Sequence, residues 1–114
     1  MVLLTFWGSR CSQCRPQLAA LGALQATYGT AGLVTLGVAV DDNAPRASEF
    51  AAAAQAKFPL LFDPQKSVAR AYDVDALPMT VLIDRSGTVR FLHRDYRSGV
   101  EVEYLQELKT LLDE

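Results

Sequence analysis

The pattern of apolar and polar positions divides this chain into short apolar runs and longer amphipathic stretches. Val2–Trp7 is an almost wholly apolar run that ends at Gly8-Ser9, and Leu33–Val40 is a second run of the same kind. Continuous apolar runs of this length are typical of strands buried on both faces of a sheet. Leu60–Phe62, directly after Pro59, is shorter and predicts only a brief extended piece.

Between these runs, apolar residues recur every three or four positions, which is the spacing of one face of a helix. The stretch from Cys11 to Tyr28 repeats in this way at Cys14, Leu18, Leu21 and Leu24. Pro16 falls in its first turn, where a missing N–H is tolerated. The spacing therefore predicts a helix over residues 11–28.

Three further helices follow from cap residues and periodicity. Asp41-Asp42-Asn43 supplies an N-cap for a helix through Phe58, and Asp63 caps a short helix over Gln65 to Tyr72. The last helix spans Val100 to Leu112. Its predicted apolar side comprises Val102, Leu105, Leu108, Leu111 and Leu112.

Met79–Asp84 and Thr88–His93 flank Arg85-Ser86-Gly87, which predicts a β-hairpin. The element order β-α-β-α-α-β-β-α combines one parallel crossover with one antiparallel hairpin. We therefore predict an α/β thioredoxin fold in a single domain over residues 1–114. Its central mixed sheet would have four strands in the order 2-1-3-4, flanked by helices.

The second predicted strand, Leu33–Val40, would lie at an edge of that sheet although its residues are almost all apolar. Exposed apolar edges invite aggregation, so proteins normally cover them. A preceding strand would do so. We therefore expect this chain to lack an N-terminal segment of the full-length protein.

Composition excludes several classes of protein. The formal net charge of −2 gives no basic footprint for nucleic acid. The apolar runs are shorter than the roughly 18 residues of a membrane span. Met1 leads straight into apolar residues without the basic region of a signal peptide.

The candidate chemistry lies in Cys11-Ser-Gln-Cys14, which contains the two cysteines of the chain. This spacing puts Cys11 at the start of the predicted helix, where the helix dipole favours a thiolate, and Cys14 one turn later. A thiolate attacks disulfides, and a second thiol nearby can resolve the mixed disulfide that forms. The motif predicts a dithiol/disulfide redox site.

Three segments extend this motif: Phe6-Trp7 through Cys14-Arg15, Phe62-Asp63-Pro64 through Val74, and Leu77-Pro78-Met79-Thr80 through Asp84 with Gly87. Together they resemble the thioredoxin-like thiol–disulfide oxidoreductases of the TlpA/ResA kind. The resemblance implies exchange with protein dithiols or disulfides and with a redox partner protein, in the periplasm or elsewhere outside the cytoplasm. It implies no cofactor and no metal, and we expect a monomer.

The resemblance also implies roles for individual residues. Cys11 matches the exposed nucleophile and Cys14 the buried resolving cysteine. Trp7 matches a tryptophan that packs beneath the site. Pro78 matches a cis-proline beside the disulfide, and the backbone of Leu77 would bind an extended substrate strand.

Five positions depart from the family pattern. Arg10 replaces a common aromatic residue and could stabilise the Cys11 thiolate as a neighbouring cation. Pro16 stands at an unconstrained position, and Ala19 stands where a helix-kinking proline is common. Gln17 and Thr5 stand where relatives have carboxylates. These last two replacements remove the familiar proton acceptors for the resolving thiol.

Two other functions are weighed against this one. A peroxiredoxin-like peroxide reductase shares the Phe62-Asp63-Pro64 and hairpin motifs, but it needs Thr or Ser three positions before its reactive cysteine, where this chain has Gly8. A non-catalytic metal- or partner-binding module is the other alternative. For a zinc site, the two cysteines and His93 supply only three of the four ligands needed.

Overall fold

The computed structural model describes all 114 residues and contains five strands and four α-helices. The strands are β1 (Val2–Trp7), β2 (Val34–Ala39), β3 (Leu60–Phe62), β4 (Met79–Ile83) and β5 (Val89–His93). The helices are α1 (Cys14–Tyr28), α2 (Ala44–Ala53), α3 (Ser67–Ala71) and α4 (Val100–Leu112), with a 3-10 turn at Gly29–Ala31.

The strands form one mixed sheet in the order β3-β2-β1-β4-β5. β1 pairs with β2 in parallel and with β4 antiparallel, and β4–β5 is the predicted antiparallel hairpin. The predicted α/β architecture and the order of the four longer strands are therefore confirmed.

The predicted strand number was wrong, because the sheet has five strands and not four. Leu60–Phe62 pairs in parallel with Gly37–Ala39 and forms the outer strand β3. Half of the β2 edge that we expected to be open is thus covered by the chain itself. Val34–Leu36, the other half, has no strand partner on that side.

Alternation along β1 separates two cores, because successive side chains of a strand point to opposite faces. Leu3 and Trp7 pack with α1, α2 and α4 in a cluster of 16 buried residues. Leu4 and Phe6 pack on the other face with Ala69 of α3 in a cluster of 6 buried residues. Thr5 lies between Leu3 and Trp7 and so faces the three-helix side of the sheet.

Helix α4 buries a different stripe from the predicted one. Val102, expected on the apolar side, is 56% exposed, whereas Tyr104 is fully buried. Leu108 and Leu111 are buried as predicted. The helix is turned so that the Tyr104 ring, rather than Val102, packs against the sheet.

The predicted caps are confirmed, but α1, α2 and α3 are all shorter than expected. The Asn43 side chain accepts a hydrogen bond from the backbone N–H of Arg46 at 3.0 Å, and α2 ends at Ala53 instead of Phe58. Gln55 follows in the left-handed region with φ 59°, which is incompatible with continued helix. Asp63 accepts hydrogen bonds from the N–H groups of Ser67 and Ala69 in the first turn of α3.

Asp84 fixes the β4–β5 turn. Its carboxylate accepts hydrogen bonds from the Ser86 hydroxyl at 2.6 Å and from the N–H groups of Ser86 and Thr88, and it pairs with Arg90. These bonds, the Ser86 hydroxyl first, hold the pKa of Asp84 well below its usual range. A lowered folded-state pKa means that this carboxylate stabilises the fold above its ordinary pKa of about 3.9.

We expect Asp84→Asn to have a lower melting temperature than the unmodified chain at neutral pH. Because the contribution of Asp84 is lost as pH falls through its folded-state pKa, the difference should narrow below about pH 4. Thermal unfolding followed by circular dichroism over this pH range would measure it. Asp113→Asn, at an exposed carboxylate, is the control and should change little. A constant difference between Asp84→Asn and the unmodified chain at every pH would contradict this role.

Gly37 allows the Trp7 indole to lie close against β2. A Cβ at this position would come within 3.0 Å of Trp7 Nε1 and of the Phe58 ring. We expect Gly37→Ala to lower the free energy of unfolding by about 1–3 kcal/mol, as overpacking of a core does. Urea unfolding followed by the fluorescence of Trp7, the single tryptophan, would measure this change. An unaltered midpoint would mean that the indole can shift without cost.

None of the helices combines the length and the apolar character needed to cross a lipid bilayer.

Candidate active site

The two cysteines lie at the junction between β1 and α1 and are joined in a disulfide, with their Cα atoms 5.3 Å apart. α1 begins at Cys14 and not at Cys11, so the predicted helix start was three residues too early. Cys11 lies in the preceding turn, where its carbonyl accepts the N–H of Cys14 at 3.1 Å. Cys11 is partly exposed and Cys14 is fully buried. An incoming disulfide can therefore reach Cys11 far more readily than Cys14.

Trp7 supports the disulfide from within the core. Its side chain is fully buried in the same cluster as Cys14, and Cys11 packs against the margin of that cluster. The indole stacks on Phe50 of α2, with ring centroids 5.9 Å apart. The indole N–H has no hydrogen-bond partner. Trp7 thus contributes packing rather than a hydrogen bond at this site.

The loop after β1 is held against two other loops. Both carboxylate oxygens of Asp41 accept the N–H of Ser9 at 3.1 Å. A Cβ added at Gly8 would lie 3.1 Å from both Asp41 Oδ1 and Leu77 Cδ1. Gly8 therefore brings the loop that carries Cys11 into close contact with the loop that carries Leu77.

The Leu77–Pro78 peptide bond is cis, as the resemblance implied. Leu77 is partly buried and packs against both core clusters. Leu77 and Arg10 line one cavity of about 440 Å³ between their loops. Arg10 itself is exposed. Leu77 and Arg10 thus border the same cavity, next to the loop that carries Cys11.

A buried ring of polar side chains lies on the three-helix side of the sheet. Thr5 Oγ1 donates to Gln17 Oε1 at 3.1 Å, and Gln17 Nε2 donates to Thr80 Oγ1 at 2.6 Å. The Thr5 and Thr80 hydroxyls, which oppose each other across β1 and β4, are 3.1 Å apart. Because Thr5 gives its proton to Gln17, Thr80 must give its proton to Thr5. The three side chains close a ring in which every polar group has a partner.

Tyr104 joins this ring from α4. Gln17 Nε2 also donates to the Tyr104 hydroxyl at 3.4 Å. Burial raises the pKa of Tyr104, while the hydrogen bond from Gln17 acts in the opposite direction. All four residues of the network, Thr5, Gln17, Thr80 and Tyr104, are fully buried and uncharged at neutral pH.

Thr5 and Gln17 were predicted only as replacements for carboxylates, and Thr80 and Tyr104 were not predicted as residues of the site. The available signal was Thr80 itself, a hydroxyl residue within the apolar stretch of β4. Opposite Thr5 in an antiparallel pair, it could form a cross-strand hydrogen bond. The sequence offered no comparable signal for Tyr104.

His93 does not lie at the disulfide. Its Nε2 is 2.8 Å from Glu107, and its ring packs edge-on against Tyr104 with centroids 5.0 Å apart. No group of three or more His, Cys, Asp and Glu side chains is arranged to hold a metal ion.

Comparison with known proteins identifies the family. The sequence model of the AhpC/TSA family matches residues 1–92, which include both cysteines, Leu77 and Pro78. This chain belongs to the AhpC/TSA family.

The chain is also similar to individual thiol–disulfide oxidoreductases. It is 31% identical over 109 residues to the thiol-disulfide oxidoreductase ResA of Geobacillus kaustophilus, covering 95% of this chain and 63% of that protein. It is 35% identical over 89 residues to ResA of Geobacillus thermodenitrificans, covering 78% of this chain and 51% of that protein. The chain thus spans between half and two thirds of the length of these two ResA proteins.

A solved structure of another protein is also similar to this chain. A protein of Chlorobium tepidum, assigned provisionally as the thiol:disulfide interchange protein DsbE, superposes with a TM-score of 0.93 at 32% identity. The match covers 97% of this chain and 79% of the other. The predicted relationship of this chain to thioredoxin-like oxidoreductases of the TlpA/ResA kind is therefore confirmed.

Proposed function

We propose that this chain is a thiol–disulfide oxidoreductase that exchanges two electrons with disulfides in other proteins. The observation that carries the proposal is the bonded Cys11–Cys14 pair, in which Cys11 is partly exposed and Cys14 is fully buried. This asymmetry suits a reaction in which one sulfur meets the substrate and the other acts within the protein. The identity to ResA proteins supports the same reaction class.

In the reducing direction, the Cys11 thiolate attacks one sulfur of a substrate disulfide. A Cys11–substrate disulfide forms and the other substrate sulfur leaves as a thiolate. The Cys14 thiolate then attacks the Cys11 sulfur, which restores the Cys11–Cys14 disulfide and releases the second substrate thiolate. The two protons lost by the cysteines end on the two substrate sulfurs. The oxidising direction is the reverse of these steps.

We assign the binding of the substrate strand to the backbone of Leu77 and to Pro78. Leu77 is packed beside Gly8, three residues before Cys11, so a strand bound there would bring its cysteine to the exposed sulfur. Trp7 supports the cysteine loop through the core. Arg10, at the mouth of the site, would favour the Cys11 thiolate by its positive charge.

Gln17 stands at the position where relatives have a carboxylate that can accept the proton of the resolving thiol. It lies one helical turn after Cys14 and is bound to the hydroxyls of Thr5 and Thr80. An amide cannot accept a proton near neutral pH, so Cys14 must lose its proton to water or to the substrate. The attack of Cys14 on the mixed disulfide would therefore be slow at pH 7.

Family membership also raises peroxide reduction as an alternative, and the geometry at Gly8 speaks against it. The hydroxyl side chain that such chemistry needs three residues before the reactive cysteine would start from a Cβ 3.1 Å from Asp41 and Leu77. This chain has no hydroxyl at that position, and a Thr or Ser there would require both side chains to shift by a few tenths of an ångström.

We further propose that the whole protein acts outside the cytoplasm with a separate redox partner protein. Its likeness to ResA proteins supports this setting. Oxidising compartments are also where protein disulfides form and persist.

Reduction of insulin disulfides by the chain, with dithiothreitol as electron source, tests the proposed function. We expect turbidity from precipitated insulin chains to develop much faster than with dithiothreitol alone. The double variant Cys11→Ser/Cys14→Ser is the control and should give the uncatalysed rate. If the unmodified chain matches that control but consumes hydroperoxide, the peroxide alternative is correct and this proposal is wrong.

A further inference from the structure

Two neighbouring cavities lie on the α3 side of the loop that carries Cys11. The first, of about 440 Å³, begins at Arg10, which precedes Cys11 in the chain. The second, of about 230 Å³, extends to Arg70 and Val74. Both are lined by Val40, Lys66 and Leu77, so these three residues lie at the boundary between the two cavities. We call the two cavities together the Lys66 groove.

The unpaired charges of the Lys66 groove are mostly positive. Arg10, Lys66 and Arg70 are exposed, and none of them belongs to an ion pair. Of the three acidic residues that line the groove, Asp75 is in an ion pair, with Arg94 at 3.3 Å. Asp41 accepts the Ser9 N–H with both oxygens and keeps its negative charge.

Asp41 and Asp42, both at the Arg10 end, are the carboxylates of the groove that belong to no ion pair. At the other end, Lys66 and Arg70 have no unpaired carboxylate beside them, in a chain whose net charge is −2. The positive character is therefore local to the Lys66–Arg70 end of the groove. A patch of one sign favours partners of the opposite sign, in affinity and in association rate.

The floor of the groove is apolar, formed by Ala69, Val74 and Leu77 with Val40. It can accept an aliphatic or aromatic side chain beside a charged one. Lys66 has φ 60°, a left-handed conformation that disfavours residues with a Cβ. The chain nevertheless has lysine there, at the point where the two cavities meet.

We propose that the Lys66 groove binds an extended segment of the disulfide substrate that carries an acidic residue and an apolar residue within a few positions of its reactive cysteine. The inference rests on the proposed function and adds a substrate preference to it. The acidic side chain would pair with Lys66 or Arg70, and the apolar side chain would contact the floor. The cysteine of the segment would then lie at the Arg10 end, beside Cys11.

The test uses the reduced chain and three synthetic peptides. Each peptide carries one cysteine as a mixed disulfide with 5-thio-2-nitrobenzoate, and they differ only in Glu, Gln or Lys at the positions flanking that cysteine. Attack of the Cys11 thiolate on the peptide sulfur releases the coloured aromatic thiolate. Stopped-flow absorbance then gives the rate for each peptide.

We expect the Glu peptide to react about three- to tenfold faster than the Lys peptide at low ionic strength, with the Gln peptide between them. Salt at about 0.3 M should reduce that ratio to less than about twofold, because exposed charges are screened. Lys66→Asn with Arg70→Gln should abolish the preference. Asparagine suits the left-handed conformation at position 66 and keeps the backbone unstrained.

Arg46→Gln with Lys57→Gln is the matched control, since it removes two exposed cations outside the groove. It should retain the preference for the Glu peptide. Equal rates for the three peptides, or a preference lost in the control as well, would overturn the groove assignment while leaving the proposed reaction intact. Failure of the chain to react with any peptide would instead overturn the proposed function.

Discussion

Cys14→Ser is expected to accumulate a mixed disulfide between Cys11 and its protein substrate, because the variant retains the exposed sulfur and loses the buried one that resolves it. Cys11→Ser should trap on the order of tenfold less, or nothing, since a fully buried thiol cannot meet a protein disulfide. Incubation of each variant with oxidised substrate, alkylation of free thiols and mass spectrometry would measure the trapped fraction.

The unmodified chain and the double variant Cys11→Ser/Cys14→Ser are the controls for this experiment. The first should show the adduct only transiently and the second not at all. Equal trapping by the two single variants would contradict the roles given to Cys11 and Cys14.

The second large effect is expected at Gln17. Resolution of a preformed mixed disulfide on Cys11 should be slow at pH 7 and become faster as pH rises, because Cys14 has no carboxylate nearby to take its proton. Gln17→Glu should accelerate this step at pH 7 by on the order of 10²-fold, which is the lower end of general-base effects.

The polar ring can accommodate the introduced carboxylate. The hydroxyls of Thr5, Thr80 and Tyr104 surround the Gln17 amide, and each can rotate to donate a proton to a carboxylate oxygen. These hydrogen bonds would offset part of the cost of burying a charge. Stopped-flow decay of the mixed disulfide, from about pH 6 to 9, would report the rate.

Gln106→Glu is the matched control, since it adds the same charge at an exposed position of α4. It should leave the rate of resolution unchanged. If Gln17→Glu resolves no faster than the unmodified chain at any pH, Gln17 does not stand at the position of a proton acceptor.

Local patterns in the sequence predicted most of the fold. The apolar runs and helical periodicities depend on neighbours a few residues away, and they located the four longer strands and four helices. Leu60–Phe62 was predicted only as a brief extended piece and not as a strand of the sheet, because its three residues are too few to give a periodic signal. Its pairing with Gly37–Ala39 depends on contacts between distant parts of the chain.

The candidate site also combines a local motif with contacts between residues far apart in the sequence. The cysteine motif is local and was found, whereas the polar ring joins residues separated by 75 and 87 positions. Tyr104 could not be predicted as a member, because the apolar pattern of α4 gave an incorrect rotation of that helix. The spacing of apolar residues placed Val102 on the core side of α4, whereas Tyr104 is the residue that is buried there.

The neutrality of the Thr5–Gln17–Thr80 ring has a consequence for the electrochemistry of the cysteine pair. Reduction of the disulfide adds two electrons and, where both thiols remain protonated, two protons. For a two-electron couple a tenfold change in equilibrium constant corresponds to about 30 mV, so two protons give about −59 mV per pH unit. A buried carboxylate beside Cys14 would make the plot of midpoint potential against pH curve, because the pKa of that carboxylate would differ between the disulfide and dithiol forms. With hydroxyls and an amide in its place, the slope should change only at the pH values where the cysteine thiols themselves lose their protons.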